Sequence, residues 1–153
     1  LNSKTLGMLF EKQSTRTRLS FNLGMQKCGG YVIEVDSNAI GFGNRESEKD
    51  IIKVMSQYLD CLMIRNNNHT KIQQLASYNS LPIINGLSNF SHPCQILSDI
   101  FTIEEFKGNI ENLNICWIGD INNVLNSLIH SASIFKFKLK IACPKIILNK
   151  NKK

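Results

Sequence analysis

The chain has 153 residues, of which 42% are hydrophobic, enough to build a folded core. Its formal net charge of +6 would suit a nucleic-acid binder, but residues 136–153 contain seven of the 18 basic residues and no acidic one. The remaining 11 basic residues are balanced by 12 acidic ones, so the excess belongs to one tail. Nucleic-acid binders spread basic residues over a face or groove, and we therefore expect no nucleic-acid partner.

The residue pattern also disfavours membrane, disulfide-bonded and metal-binding proteins. No apolar run approaches the roughly 18 residues of a membrane span. No leader peptide is visible, although the chain does not begin with Met. The five cysteines are scattered without a CxxC pair, and the three histidines form no i,i+4 pair. These patterns predict a cytoplasmic protein with reduced thiols and no metal site, and no membrane partner.

Hydrophobic periodicity predicts an alternation of strands and helices. In chain order these are a strand at 5–10, a helix at 15–27, a strand at 31–36, a glycine-rich loop at 37–46, a helix at 48–58, a strand at 61–65, a helix at 70–78, a strand at 81–85, a helix at 93–106, a strand at 113–119, a helix at 123–135 and a strand at 138–143. Leu19, Leu23 and Gln26 have helical spacing in the first helix. We expect the strand at 113–119 to be buried.

Strands that alternate with helices of this length predict βαβ units and a mainly parallel sheet. Ligands of such sheets bind beyond the carboxyl ends of the strands. Four polar clusters follow predicted strands, namely EKQSTRTR, Arg65-Asn66, NGLSNFSHPCQ and GDINNVLNS. Their common placement predicts one functional site.

The cluster Ser14-Thr15-Arg16-Thr17-Arg18 lies where the first helix begins. A helix N-terminus has unpaired N–H groups and a partial positive charge, which favour a bound anion. The hydroxyls add neutral donors, and the Arg16 guanidinium matches phosphate oxygens. The alternative is an ordinary helix cap with solvated arginines. The repetition of hydroxyl and guanidinium groups favours an anion site.

Arg65 and His92 offer further donors. Arg65 ends an apolar strand and reaches either solvent or an anion. His92 could donate to a carbonyl oxygen that gains negative charge, and Gln95 could orient an amide one turn later. The alternative is a helix-capping histidine beside a surface glutamine.

Three further groups are ambiguous or weak. Asn122, Asn123 and Asn126 could bind an amino acid or simply shape a loop. The segment GFGNRE lacks the G-x-G-x-x-G pattern of dinucleotide binding, and we expect no cofactor. Cys94 lies close to His92 in sequence, but neighbouring side chains often point apart, which disfavours a nucleophilic thiol.

Four segments together resemble the ornithine carbamoyltransferases. They are FEKQSTRTRLSF, MIR, INGLSNFSHPCQ and WIGDINNVLNSL, and the resemblance covers nearly all of residues 3–144. The pair S-T-R-T-R and H-P-x-Q marks the wider aspartate/ornithine carbamoyltransferase family. The segments INGL and DINNV are similar to the ornithine branch rather than to the relatives that use aspartate.

The resemblance implies a reaction in which carbamoyl phosphate and L-ornithine give citrulline and phosphate, a step of arginine biosynthesis. It implies that the phosphate is held by Ser14, Thr15, Arg16 and Thr17. It further implies that Arg65, His92 and Thr17 face the carbonyl oxygen as catalytic residues and that Gln95 faces the amide. Asn123, and with it Asn122, would bind ornithine. Arg18 is expected to turn away and brace the loop.

The resemblance also implies an α/β fold, a doubly wound, mainly parallel sheet followed by the first strands of a second α/β domain. The expected parts are a carbamoyl-phosphate-binding domain at 1–110 without its N-terminal helices, the start of an ornithine-binding domain at 111–144 and a basic Ile/Asn/Lys tail at 145–153. Intact members are homotrimers about twice as long. We therefore expect a partial chain that is inactive by itself.

Two alternatives stay open. One is a non-catalytic anion-binding or interaction fragment. The other is a transcarbamoylase with a different amine acceptor, because the motifs that grip the second substrate are mostly missing from this sequence.

Overall fold

The computed structural model describes residues 1–36, 40–41 and 46–144. In chain order its elements are β1 (Thr5–Phe10), α1 (Thr15–Lys27), β2 (Tyr31–Val35), α2 (Glu48–Met55), β3 (Cys61–Arg65), α3 (His69–Ser77), β4 (Ile83–Leu87), α4 (Pro93–Lys107), a short 3-10 helix (Ile110–Asn112), β5 (Asn114–Ile118), α5 (Asn123–Phe135) and β6 (Lys138–Ala142). The predicted order of strands and helices is confirmed. Most of the predicted loop at 37–46 and the tail at 145–153 lie outside the described residues.

The chain divides into two compact units, which part between Asn89 and Phe90. The first unit contains a four-stranded sheet in the order β2-β1-β3-β4, with every neighbouring pair parallel. The mainly parallel sheet is therefore confirmed. The predicted domain boundary at residue 110 stays a prediction.

Both faces of the first sheet are covered by helices. On one face Leu9, Leu62 and Ile64 pack with Ile52 of α2 and with α3. On the other face lie Leu6, Met8 and Met63, against which side chains of α1 pack. Burial on both faces explains why β1 and β3 are nearly continuous apolar runs.

The face that α1 buries differs from the one its sequence suggested. Leu19 and Leu23, whose spacing helped predict the helix, are 54% and 52% exposed. Phe21 and Met25 pack on the sheet instead. The helix has two apolar pairs, Leu19 with Leu23 and Phe21 with Met25, and the members of each pair are four residues apart. Both pairs fit the helical period, so the period predicted the helix without deciding which pair packs on the sheet.

β4 begins two residues later than predicted. Leu81 joins the core, and the carbonyl of Pro82 accepts a hydrogen bond from the Leu62 N–H at 2.9 Å before the strand begins. The pairing with β3 shifts register between Ile64 and Arg65, so that Arg65 lies opposite Leu87. The strand thus extends to the polar residues that follow it.

The second unit, described over residues 90–144, contains the parallel pair β5-β6 together with α4 and α5. Its core joins Ile96 and Ile100 of α4 to Leu128 of α5, and to Ile110 and Phe137. The prediction of a buried strand at 113–119 is wrong. Residues of β5 alternate between half-buried and exposed, and Ile118 is 82% exposed, because this pair of strands is packed on one face only.

Candidate functional site

The loop after β1 leads into the start of α1 with its hydroxyl groups uncommitted to capping. Ser14 occupies the N-cap position in an extended conformation, yet its side chain makes no capping hydrogen bond. Thr15 is the first helical residue, and the first turn contains no acidic side chain that would oppose an anion. The N–H groups at this end therefore combine with nearby hydroxyls into an arrangement suited to an anion.

Arg65 is brought directly to this cluster. It lies opposite Phe10, the last residue of β1, in the parallel pairing of β1 with β3. Its Nη1 donates to Thr17 Oγ1 at 3.0 Å. Its Nε is buried and has no hydrogen-bond partner among the described residues. A buried donor of this kind is costly to leave unpaired, so an acceptor at this position would be stabilised.

The two arginines of the cluster separate. Arg16 is exposed at the start of α1. Arg18 instead forms an ion pair with Glu34 of β2, and its guanidinium lies 4.7 Å from the centre of the Phe10 ring. Arg18 thus braces α1 against the sheet, whereas Arg16 makes no ion pair or ring contact with the residues that the structure describes.

A second set of polar side chains lies beside the loop, and it includes Glu11 and Lys71, for which the sequence patterns predicted no role. Asn66 Nδ2 donates to Glu11 Oε2 at 2.5 Å, and the Glu11 N–H donates to the Arg65 carbonyl at 3.1 Å. Lys71 Nζ lies 3.8 Å from Glu11 Oε1 and 3.5 Å from Glu48 Oε1. The one available signal was that Glu11 begins the polar cluster EKQSTRTR, three residues before Ser14.

In the second unit, His92 occupies the N-cap position of α4 without a side-chain capping bond, so the capping alternative is not what the structure shows. Its backbone N–H donates to Ser127 Oγ of α5 at 2.8 Å, a contact that sequence reasoning missed. Gln95 is exposed, and its Nε2 donates to Asp99 Oδ1 at 2.8 Å one turn further along α4.

The asparagines before α5 have different local roles. Asn122 is the N-cap of α5, and its Oδ1 accepts from the Val124 and Leu125 N–H groups at 2.9 and 3.0 Å. Asn123 is the first helical residue. Asn126 Nδ2 donates to the Phe90 carbonyl at 3.0 Å. Asn122 and Asn126 therefore make the local hydrogen bonds expected of residues that shape a loop, and these bonds do not exclude a ligand.

Cys94 is unsuited to nucleophilic chemistry. Burial raises the pKa of its thiol, so the thiol is protonated at neutral pH. Within the described ranges, no group of three or more His, Cys, Asp or Glu residues could hold a metal ion. In the same part of the chain no helix is both long and apolar enough to cross a membrane.

The first unit is thus a doubly wound α/β domain whose first strand leads into a helix start rich in hydroxyls and arginines. Two family models match the chain in tandem. Residues 1–105 match the carbamoyl-P binding domain of aspartate/ornithine carbamoyltransferase, and residues 111–153 match its Asp/Orn binding domain. The chain belongs to the aspartate/ornithine carbamoyltransferase family, as its motifs predicted.

Individual relatives agree. The chain is 48% identical over 145 residues to an ornithine carbamoyltransferase of Syntrophotalea carbinolica, covering 95% of this chain and 48% of that protein. It is 46% identical over 143 residues to one of Caulobacter vibrioides, covering 94% and 46%. The chain therefore spans about half the length of the curated relatives it matches.

Solved structures give the same result. The crystal structure of ornithine carbamoyltransferase from Burkholderia thailandensis matches with a TM-score of 0.87 and 41% identity, over 96% of this chain and 51% of that one. The ornithine carbamoyltransferase from Pyrococcus furiosus matches with a TM-score of 0.87 and 39% identity, over 96% and 47%. The predicted fold is confirmed at this level of similarity.

Proposed function

We propose that this chain carries the carbamoyl phosphate half of an ornithine carbamoyltransferase, which transfers the carbamoyl group to the δ-amine of L-ornithine and releases citrulline and phosphate. The observation that carries the proposal is the hydrogen bond from Arg65 Nη1 to Thr17 Oγ1, beside a helix start whose Ser14 hydroxyl is not used for capping. Carbamoyl phosphate has an anionic phosphate next to a polar carbonyl, and these groups match such a cluster.

The proposed roles are those that the family resemblance implies, and the chemistry of each side chain suits them. Ser14, Thr15, Arg16 and Thr17 bind the phosphate, which leaves as the product anion. Arg65, Thr17 and His92 donate to the carbonyl oxygen, which gains negative charge when the amine attacks, and Gln95 orients the carbamoyl amide. Fixed donors and substrate positioning lower the barrier without a covalent intermediate.

The ornithine side of the reaction rests on fewer groups. Asn123 and Asn122 are assigned to the amino-acid substrate. Because Asn122 Oδ1 already accepts two helix N–H groups, its amide Nδ2 is the atom left to bind a carboxylate. Another amine acceptor is a variant of the same proposal.

Assembly and location are part of the proposal. The resemblance supports a homotrimer of the intact enzyme acting in arginine biosynthesis. The five cysteines are free thiols, which supports a reducing compartment such as the cytoplasm.

The experiment is a calorimetric titration of the 153-residue chain with carbamoyl phosphate. The wild-type chain is expected to bind without turnover, and Arg16→Ala is expected to lose about tenfold or more in affinity, since it removes a cation that contacts the phosphate. Arg18→Ala is the matched control, because Arg18 is engaged with Glu34 and Phe10. A folded chain that does not bind carbamoyl phosphate would contradict the proposal.

A second candidate is a non-catalytic interaction fragment. It is favoured by large exposed apolar side chains in the second unit, of which Phe106 is 79% and Ile118 82% exposed. Light scattering on the same sample separates the two, since this candidate predicts association without any response to carbamoyl phosphate.

A further inference from the structure

Residues 11–17, hereafter the anion loop, are attached at both ends to two consecutive residues at the end of the neighbouring strand, Arg65 as the last residue of β3 and Asn66 directly after it. At the start of the loop, Asn66 Nδ2 donates to Glu11 Oε2 at 2.5 Å. At its end, Arg65 Nη1 donates to Thr17 Oγ1 at 3.0 Å. Ser14, Thr15 and Arg16, which are assigned to the phosphate, lie between these two attachments, and Thr17, the fourth such residue, is itself the second attachment.

We propose that Glu11 and Asn66 are positioning residues, whose hydrogen bond holds the anion loop in its binding conformation against Arg65. This inference rests on the proposed function, because it concerns the affinity of the same loop for carbamoyl phosphate. Neither residue is assigned a contact with substrate. Their effect is to reduce the conformational freedom that the loop loses on binding.

Asn66 is well placed for this role because its own position is fixed. It is 4% exposed and directly follows β3. Its N–H donates to the Leu87 carbonyl of β4 at 3.1 Å, and its Oδ1 accepts from the Asn68 N–H at 2.7 Å. With the carbonyl side of its amide so engaged, the Nδ2 group points to Glu11 from a rigid base.

Glu11 is an unexpected residue beside an anion site, since its carboxylate repels phosphate through space. The structure offers it compensation. Lys71 Nζ lies 3.8 Å from its second oxygen, and the Glu11 N–H donates to the Arg65 carbonyl at 3.1 Å. A charged acceptor makes a stronger hydrogen bond with Asn66 than a neutral one, which explains a carboxylate here.

Charge repulsion and a positioning role predict opposite effects of Glu11→Ala on the affinity for carbamoyl phosphate. If Glu11 acted only through its charge, Glu11→Ala would bind carbamoyl phosphate more tightly. If Glu11 positions the loop, Glu11→Ala binds more weakly, by about tenfold for the loss of a charge-assisted hydrogen bond. Glu11→Gln keeps an oxygen that accepts from Asn66 while removing the charge, so it should restore binding to within about threefold of wild type.

The test is calorimetry with carbamoyl phosphate, and separately with inorganic phosphate, on the full chain and its variants. Asn66→Ala should lose about tenfold for both ligands, and Glu11→Ala with Asn66→Ala should lose no more than either alone, since both remove one bond. Asn68→Ala is the matched control. It removes the Asn68 Oδ1 atom that accepts from the Lys71 N–H, but it leaves the hydrogen bond from Asn66 to Glu11 intact.

The outcomes separate the two proposals. Wild-type chain that binds, with weakened Glu11→Ala and Asn66→Ala and a restored Glu11→Gln, supports the positioning role. Unchanged or tighter binding by Glu11→Ala, or an equal loss in Asn68→Ala, overturns it while the proposed function stands. Failure of the folded wild-type chain to bind overturns the proposed function and the positioning role with it. Thermal unfolding of each variant confirms that the compared samples are folded.

Discussion

The two compact units use parallel strands in opposite ways. In the first unit β1 and β3 are buried on both faces, with helices on each side of the sheet. Among the described residues of the second unit, β5 and β6 pair only with each other, and much of each strand is exposed. A parallel sheet gains most when both faces are covered, so the same strand motif should contribute unequally to stability in the two units.

The difference between the two units predicts unequal losses of stability when an apolar side chain is truncated in each sheet. Leu62→Ala removes a side chain with no exposed surface from β3 and should lower the free energy of unfolding by about 3 kcal/mol. Ile118→Ala, at an exposed position of β5, should change it by less than about 0.5 kcal/mol. Urea titration followed by circular dichroism measures both, and fluorescence of the single tryptophan, Trp117, reports on the second unit. Equal losses in the two variants would contradict the contrast.

A second comparison concerns the helix starts of the two units. Asn122 caps α5 through two N–H groups, whereas Ser14 begins α1 without a capping bond. Asn122→Ala should therefore cost about 1 kcal/mol of stability. Ser14→Ala should cost less than about 0.5 kcal/mol. It should nevertheless weaken the binding of carbamoyl phosphate, because the proposed function assigns this hydroxyl to the phosphate. Denaturation and calorimetry on both variants give the two numbers, and a loss of stability in Ser14→Ala would assign Ser14 to capping.

The smallest expected effect is electrostatic and lies in the first unit. The hydrogen bond from the Lys4 side chain, assisted by the Thr5 N–H, lowers the pKa of Asp60. A carboxyl whose pKa is lowered by folding stabilises the protein above its ordinary pKa, and this contribution is lost as the pH falls through the lowered value. Because Asp60 is exposed, the contribution is expected to be small.

Asp60→Asn should accordingly lower the urea midpoint slightly at neutral pH, and the difference from wild type should disappear in acid. Lys4→Met should show the same trend, as it removes the leading cause of the lowered pKa. A difference that persists below the lowered pKa would indicate a packing effect instead.

Much of the fold was predictable because helical and strand periods are local properties of the sequence. The departures have a common physical origin in packing. The period of α1 allowed two apolar rows, and contact with β1 selected Phe21 and Met25. β5 had the composition of a buried strand, but its second face is exposed in this chain.

The candidate site also combines features that the sequence predicted with features that depend on tertiary contacts. The placement of polar clusters after predicted strands predicted one site that contains Thr17 and Arg65. In the structure Arg65 ends β3, which pairs with β1, and it donates to Thr17 in the helix that follows β1. The bond between Glu11 and Asn66 spans 55 positions and has no local pattern, so the sequence placed both residues in polar clusters after strands without pairing them. Asn122 could shape the loop or bind a ligand; its Oδ1 caps the following helix, and a ligand role of its Nδ2 group stays a prediction.

The family, the order of the elements and the residues available to an anion could be read from the sequence, because motifs and periodicity are carried by neighbouring positions. Tertiary contacts select the buried helix faces and bring Arg65 and Asn66 to the two ends of the anion loop, and only the folded helix start shows that the Ser14 hydroxyl makes no capping bond. These depend on contacts between segments far apart in sequence, which form only when parallel strands are brought into register.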